Sequence, residues 1–343
     1  MRAAVIGVGH LGQHHARIYA EMDGVELVGV VDTDEKAARE VAGRFGAPHF
    51  TSLDDLPEID AASVATPTVS HHQVARTLLL RDVSLLIEKP LTRDLSEAED
   101  LVKLAAERGR TLQVGHVERF NPACRAIERL GIRPRFIESQ RISPFSFRSS
   151  DIGVVLDLMI HDLDLILHLM SSDVERVDAI GVSVLGMSED IANVRLTFEN
   201  GCVANVTASR VSLKSERKIR IFAPECFASA DLGNHTGSVY RLNRDISEIS
   251  GAISKLDPKT VSDPRALLFG DYIRAEPLET DKAEPLLKEI EAFVHAVRTG
   301  ERPVVSGEDA LRTLTVAHRI LEEIGRFQER SIAFIDGADS PGA

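Results

Sequence analysis

The sequence predicts an α/β protein in which an N-terminal Rossmann domain, a doubly wound parallel sheet, precedes an α+β domain with a large open, mostly antiparallel sheet. Three observations carry this. Short apolar runs alternate with amphipathic stretches from residue 2 to about 115; a G-x-G-x-x-G turn directly follows the first run; and after "ERFNPACRAIERLG" the texture changes to longer β-branched runs. A chain of 343 residues exceeds one ordinary core, so two domains are expected, residues 1–120 and 121–335.

In the first domain the strands are read at "AAVIGV", "VELVGVVD", "AASVAT", "VSLLIEKP" and "TLQVGH", with helices at about 11–21, 34–44, 70–80 and 96–108. Ser96 with Glu99 three residues on, and Gly109 after the last turn, reads as a capping box with a glycine stop. In the second domain strands are expected at 134–142, 174–184, 191–198, 202–209 and 217–223. A helix over 151–170 interrupts them, and two helices, "EPLLKEIEAFVHAVRTG" and "SGEDALRTLTVAHRILEEIGRF", close the chain. Residues 243–283 have little periodicity and read as a long loop or arm.

Composition narrows the function. Formal net charge is −13, which disfavours nucleic acid and anionic membrane surfaces; the best basic cluster, "LKSERKIRIF", reads as a solvated strand face. The three cysteines, Cys124, Cys202 and Cys226, are far apart with no C-x-x-C spacing, which fits a reducing compartment. With no signal-peptide pattern and no run approaching a membrane span, a cytoplasmic location is expected.

The glycine turn asks for a dinucleotide. Gly7 permits the tight turn, Gly9 lets a pyrophosphate approach the backbone, and Gly12 lets helix and strand pack closely, with His10 and Leu11 inside the same turn. The helix N-terminus offers free N–H groups to the anion. Asp32, about twenty residues on at the end of the second strand, suits the ribose hydroxyls and repels a 2′-phosphate, so NAD is favoured over NADP. His10, His14 and His15 read as surface or supporting residues rather than catalysts.

The segments "VIGVGHLGQHHA", "ATPTVSHHQVA", "LLIEKPLT" and "VLDLMIHDLDLI", in that order, resemble the glucose-fructose oxidoreductase and inositol dehydrogenase family. The likeness extends through "FVHAVRTGERPVVSGEDALRTL". It implies a Rossmann domain followed by an open-sheet domain, and oxidation or reduction of a secondary hydroxyl on a sugar, sugar nucleotide or cyclitol. Residue by residue, it puts Thr66, Pro67 and His71 on the cofactor side, Glu88 and Lys89 in the E-K-P element, and Asp157 and His161 on the catalytic helix. The lead-in "SSDIGVVLDLMIH" departs from the glycine-rich lead-in common in the family. The texture of "GHLGQHHARIY", "VGHVERFNP" and "SPFSFRSSDIGVVLDLMIHDLDL" resembles most the bacterial branch acting on carbon 3 of UDP-N-acetylglucosamine. That branch implies a downstream aminotransferase for the 3-keto product; a homo-oligomer, dimer or tetramer, is expected as well.

Alcohol oxidation needs a group to take the hydroxyl proton and a donor to hold the developing alkoxide. Lys89, just past a strand end, suits polarising the oxygen; His161 suits the base; Asp157, four residues before it, suits orienting His161 or binding a neighbouring hydroxyl. Asp164 and His168 continue that face. The same residues also read as a satisfied core histidine or as ligands of a divalent ion, but no metal is expected where a lysine can polarise the oxygen. Asn121 is expected to face substrate, and Arg141, with Arg148 as alternative, to meet a diphosphate. Competing functions are a myo-inositol or other sugar or cyclitol dehydrogenase and, from a different class, a non-catalytic NAD-sensing regulator, which has no need of Lys89, Asp157 and His161 together.

Overall fold

The computed structural model describes residues 1–145, 152–185, 188–224, 226–243, 246–254 and 272–338. Their contacts divide into two units, Met1–Phe120 with Ala283–His318, and Asn121–Lys282 with Arg319–Ala343.

The first unit holds a six-stranded sheet of β1 (Arg2–Ile6), β2 (Glu26–Val31), β3 (His49–Phe50), β4 (Ala61–Val64), β5 (Ser84–Glu88) and β6 (Leu112–Gly115). All pairs are parallel and the order is β3-β2-β1-β4-β5-β6. The order reverses at β1 and β4, where the crevice beyond the strand ends receives ligands in such sheets. Strands β4, β5 and β6 are buried along their whole length, as a sheet covered on both faces requires. Helices α1 (Gly12–Glu21), α2 (Glu35–Phe45), α3 (His71–Leu80) and α4 (Leu95–Arg108) connect the strands. The two-residue β3 was not anticipated, since a pair of residues carries no periodicity.

Two local expectations change. Helix α4 begins at Leu95 with Asp94 at its cap, so Ser96 is already inside the helix and the capping box does not form; Gly109 closes it in the left-handed conformation. The first closing helix, α8 (Pro285–Thr299), places Ile290, Phe293 and Val294 in one core with Ala3, Val5, Val30 and Leu86. Residues 283–318, assigned from sequence to the second domain, therefore belong with the first.

The second unit holds eight strands, β7 (Phe136–Ile142), β8 (Val174–Val182), β9 (Ile191–Phe198), β10 (Val203–Ser209), β11 (Glu216–Phe222), β12 (Cys226–Asp231), β13 (Thr236–Leu242) and β14 (Ile273–Pro277), in the order β14-β13-β12-β11-β7-β10-β9-β8. Every pair is antiparallel except β7 with β10. Burial alternates along β7, β9 and β10, so one face is apolar and the other open, and Lys218 and Arg220 of β11 pair with Glu216 and Glu138 on the surface. Helix α5 (Pro122–Arg129) opens the unit; a five-residue π turn, Val155–Met159, runs into α6 (Ile160–Met170). Within the stretch read as a loop, α7 (Ile246–Ile253) and β14 form. The last helix, α9, covers Gly307–Ala338. None of the described helices is long and apolar enough to cross a membrane.

Candidate active site

The glycine turn is built by close packing. Gly7 has φ +85°, and a Cβ there would lie 2.7 Å from the backbone of Ala65; one on Gly12 would lie 1.8 Å from the Gly7 carbonyl oxygen. The first glycine makes the turn and the third brings α1 onto β1. A Cβ on Gly9 would meet nothing within 4 Å, so this backbone faces open space. Leu11 caps α1 with no side-chain hydrogen bond, and no acidic residue sits in the first turn, leaving its dipole uncompensated for an anion.

Asp32 sits at the mouth of this turn. Its Oδ2 accepts from the Val8 N–H at 2.9 Å and its Oδ1 from the Asp34 N–H at 3.0 Å, so the carboxylate also fixes the glycine loop against the end of β2. A carboxylate has about four acceptor sites, leaving capacity for a ribose diol. A cleft of about 560 Å³ opens here between Gly9, Asp32, Thr33, Thr66 and Pro67. The Thr66 hydroxyl is buried with no hydrogen-bond partner among the described residues. Open backbone at Gly9, the Asp32 carboxylate and the unsatisfied Thr66 hydroxyl together fit a dinucleotide. His10 and Leu11 are exposed beside the turn.

His71 lies deeper than expected. It is 1% exposed, with Nδ1 2.9 Å from the Pro90 carbonyl oxygen and Nε2 2.9 Å from that of Thr66. It ties the E-K-P turn to the Thr66 loop. Burial holds its pKa below the ordinary value.

Glu88 is also internal. Its Oε1 is 3.0 Å from Nε2 of His15, whose Nδ1 is 3.0 Å from the Ser63 hydroxyl, itself 2.8 Å from the Tyr19 hydroxyl. The tautomer with the proton on Nε2 satisfies this chain: Tyr19 donates to Ser63, Ser63 to His15, His15 to Glu88. Burial, the largest single influence, would raise the Glu88 pKa, but the hydrogen bond and electrostatic pull of His15 together with Lys89 and His71 outweigh it, and the group stays below the ordinary carboxylate value. Glu88 therefore anchors the turn from inside, while Lys89 after it is half-buried at the end of β5. The sequence reading of His15 as a surface or supporting residue missed its burial. The inward positions of α1, Gly12, His15, Ala16, Ile18 and Tyr19, follow helical spacing and were the available signal.

In the second unit Asp157 lies in the π turn and His161 at the start of α6, both half-buried. Such turns are rare and recur at functional sites. The face does not continue as expected: Asp164 is fully buried, and the exposed His168 pairs with Glu128 at 2.8 Å. No group of three or more His, Cys, Asp or Glu side chains among the described residues is arranged to hold a metal ion.

Two substrate assignments are corrected. Asn121 is 3% exposed; its Oδ1 caps α5 by accepting from the Ala123 N–H and its Nδ2 donates to the Leu232 carbonyl, so the amide is spent on structure. Arg141 is 3% exposed, with Nε 2.7 Å and Nη2 3.2 Å from the two carboxylate oxygens of Asp162. Its fork is filled by a buried carboxylate rather than held open for a diphosphate, because position 141 falls on the inward face of β7. Arg148 lies outside the described residues.

Residues 1–116 match the profile of an oxidoreductase family with an NAD-binding Rossmann fold, and residues 134–225 match the GFO/IDH/MocA C-terminal domain. The chain is 38% identical over 333 residues to UDP-N-acetylglucosamine 3-dehydrogenase of Acidithiobacillus ferrooxidans, covering 96% of this chain and 99% of that protein. It is 27% identical to scyllo-inositol 2-dehydrogenase (NAD(+)) of Bacillus subtilis, over 92% of each. A solved structure of the Acidithiobacillus enzyme superposes with a TM-score of 0.84 at 36% identity, over 95% of this chain and 98% of that one. Levoglucosan dehydrogenase in complex with NADH, 18% identical and covered to 97%, shares the fold over 95% of this chain with a TM-score of 0.78. With both domain profiles matched and a relative aligned along nearly its whole length, the chain belongs to the GFO/IDH/MocA family of NAD-binding oxidoreductases.

Proposed function

We propose that this protein oxidises the 3-hydroxyl of UDP-N-acetylglucosamine to the 3-keto sugar nucleotide, using NAD. The observation that supports the substrate is the 38% identity to a UDP-N-acetylglucosamine 3-dehydrogenase across 99% of that enzyme's length. When bound, NAD would supply the hydride acceptor for the oxidation of carbon 3. Gly9 and the start of α1 receive its pyrophosphate and Asp32 its adenosine ribose. Lys89 holds and polarises the reacting hydroxyl, His161 takes its proton, and Asp157 orients His161 or binds an adjacent hydroxyl.

A 3-keto sugar nucleotide is consumed by an aminotransferase in this reading, and the enzyme works in the cytoplasm as a homo-oligomer. Arg141 is not its diphosphate receptor, so the UDP handle is held by other residues. The inositol dehydrogenase relatives keep a cyclitol as the second reading.

The test incubates the purified protein with NAD and, separately, UDP-N-acetylglucosamine, free N-acetylglucosamine and myo-inositol, following NADH absorbance and product mass. A parallel arm supplies an aminotransferase together with L-glutamate as amino donor, which converts the ketone to an amine and releases 2-oxoglutarate, since oxidation by NAD runs uphill without a sink. Loss of two hydrogen atoms confined to the UDP-sugar is the expected result, because the remote handle positions the reacting carbon. Turnover of myo-inositol with none on the UDP-sugar overturns it.

A further inference from the structure

The backbone leading into the Asp157 segment is held by a part of the second unit to which the proposed chemistry gives no role. Glu189, between β8 and β9, is 7% exposed. Its backbone carbonyl accepts from the Val154 N–H at 3.0 Å and its side-chain Oε1 from the Val155 N–H, also at 3.0 Å. Asp190 beside it is fully buried; its Oδ1 accepts from Nε of Arg210 at 2.6 Å, and the same guanidinium donates from Nη1 to the Ile152 carbonyl at 2.7 Å. Asp190 Oδ2 accepts from the Val184 and Leu185 N–H groups at 2.6 Å each, which fixes the loop that presents Glu189. Residues 152, 154 and 155 are therefore each tied to the 189–190 segment or to its partner Arg210.

Gly153 makes this arrangement possible. A Cβ at that position would lie 2.0 to 2.2 Å from the carboxyl atoms of Glu189. The space a side chain needs is occupied by the carboxylate. Gly153 in turn accepts the Asp157 N–H on its carbonyl at 3.1 Å, so the held residues connect directly to the backbone of Asp157. The first N–H groups of a helical segment have no partner within it, and a carboxylate placed there satisfies one and complements the dipole.

We propose that Glu189 is a positioning residue for the oxidation: by holding the Val155 N–H it sets where the segment carrying Asp157 and His161 begins, and Gly153 is the residue that admits it. This rests on the role assigned to that segment under the proposed function. Burial is the main cause that raises the Glu189 pKa, with Asp190 adding to it, against the Val155 N–H and the Arg210 charge that favour the carboxylate. A glutamine, whose amide oxygen accepts the same bond without a buried charge, therefore keeps the contact.

The test measures turnover, NAD affinity and hydrogen–deuterium exchange over 154–165 in Glu189→Ala, Glu189→Gln, Gly153→Ala and the Gly153→Ala/Glu189→Ala double variant, with His161→Ala alongside. Glu189→Ala is expected to speed exchange and lower kcat about tenfold or more with NAD affinity unchanged, since small displacements of reacting groups cost rate steeply. Glu189→Gln is expected within about threefold of the parent enzyme, as the retained acceptor predicts. Gly153→Ala should match Glu189→Ala, and the double variant should be no slower than the slower single one, because the added methyl occupies the vacated carboxyl space. Unchanged exchange in Glu189→Ala, equal loss in the alanine and glutamine variants, or additive losses in the double variant overturn the proposal. If His161→Ala keeps full turnover, the role of the segment falls instead, and exchange at the Val155 amide alone decides whether Glu189 holds it.

Discussion

Nε2 of His15 and Oε1 of Glu88 lie 3.0 Å apart in the interior, tying the helix that follows the glycine turn to the residue that precedes Lys89. Removing His15 leaves a buried carboxylate without its donor. His15→Leu is expected to lower stability by about 3 kcal/mol or more in urea unfolding at neutral pH, the scale for leaving a buried charged acceptor without its donor. Glu88→Gln, which preserves an acceptor, should lose less. A His15→Leu protein as stable as the parent would show that the contact carries no load.

Asp32→Ala is expected to weaken NAD much more than NADP, because the hydrogen bonds lost go to a ribose hydroxyl that NADP carries as a phosphate. The same change also removes the acceptor of the Val8 N–H, so some general weakening follows from a looser glycine loop. Calorimetric titration with both nucleotides separates the two effects. Parent protein that binds NADP at least as tightly as NAD contradicts the selectivity argument.

The Rossmann order and the glycine turn were legible because each depends on short-range rules: apolar strands alternating with amphipathic helices, and glycines where a Cβ collides with backbone, as at Gly7 and Gly12. The roles of single polar residues were less so. Arg141 and Asn121 are buried against partners distant in sequence, Asp162 and Leu232, and spacing within one segment carries no information about such pairs. The alternation of β7 was enough to point Arg141 inward, where an arginine requires an acid. Residues 283–318 were misassigned because an amphipathic helix shows that it has an apolar face but not which sheet covers it.

Lys89→Ala and His161→Ala are each expected to slow turnover by about a hundredfold or more while leaving NAD binding nearly intact, the scale for acid–base groups. Pre-steady-state kinetics with deuterium at carbon 3 of the sugar checks that the slowed step is the hydride transfer. Parallel loss of NAD affinity and rate assigns these side chains a structural role.

Arg141→Ala is expected to unfold more easily rather than to bind a diphosphate less well. The side chains of Arg141 and Asp162 are 4% and 2% exposed, and truncating one leaves the other buried and uncompensated, at a cost of about 3–5 kcal/mol. Arg141→Met/Asp162→Leu, which removes both charges, should recover most of the loss. A stable Arg141→Ala protein with a raised KM confined to the UDP-sugar restores the anion-binding role.

His71 gives the protein an acid sensitivity above the carboxylate range. Burial depresses its pKa in the folded state below the ordinary 6.5, while the carbonyl oxygens of Pro90, Thr66 and Leu91 partly oppose that effect. In the unfolded chain the imidazole takes up its proton near 6.5, whereas the folded protein resists it to a lower pH. Between those two values the unfolded state holds more protons, so stability falls as pH falls through that window; above 6.5 the contribution is fully present. The slope from one such group is at most about 1.4 kcal/mol per pH unit. Melting temperature measured from pH 7.5 downward should begin to drop before Glu88, whose ordinary value is 4.5 and whose folded value is lower, can protonate. His71→Gln should flatten this first decline, while His14→Gln, at a position whose pKa is also lowered by burial but which is far more open, should flatten it less. A decline unchanged in His71→Gln would place its origin in another group.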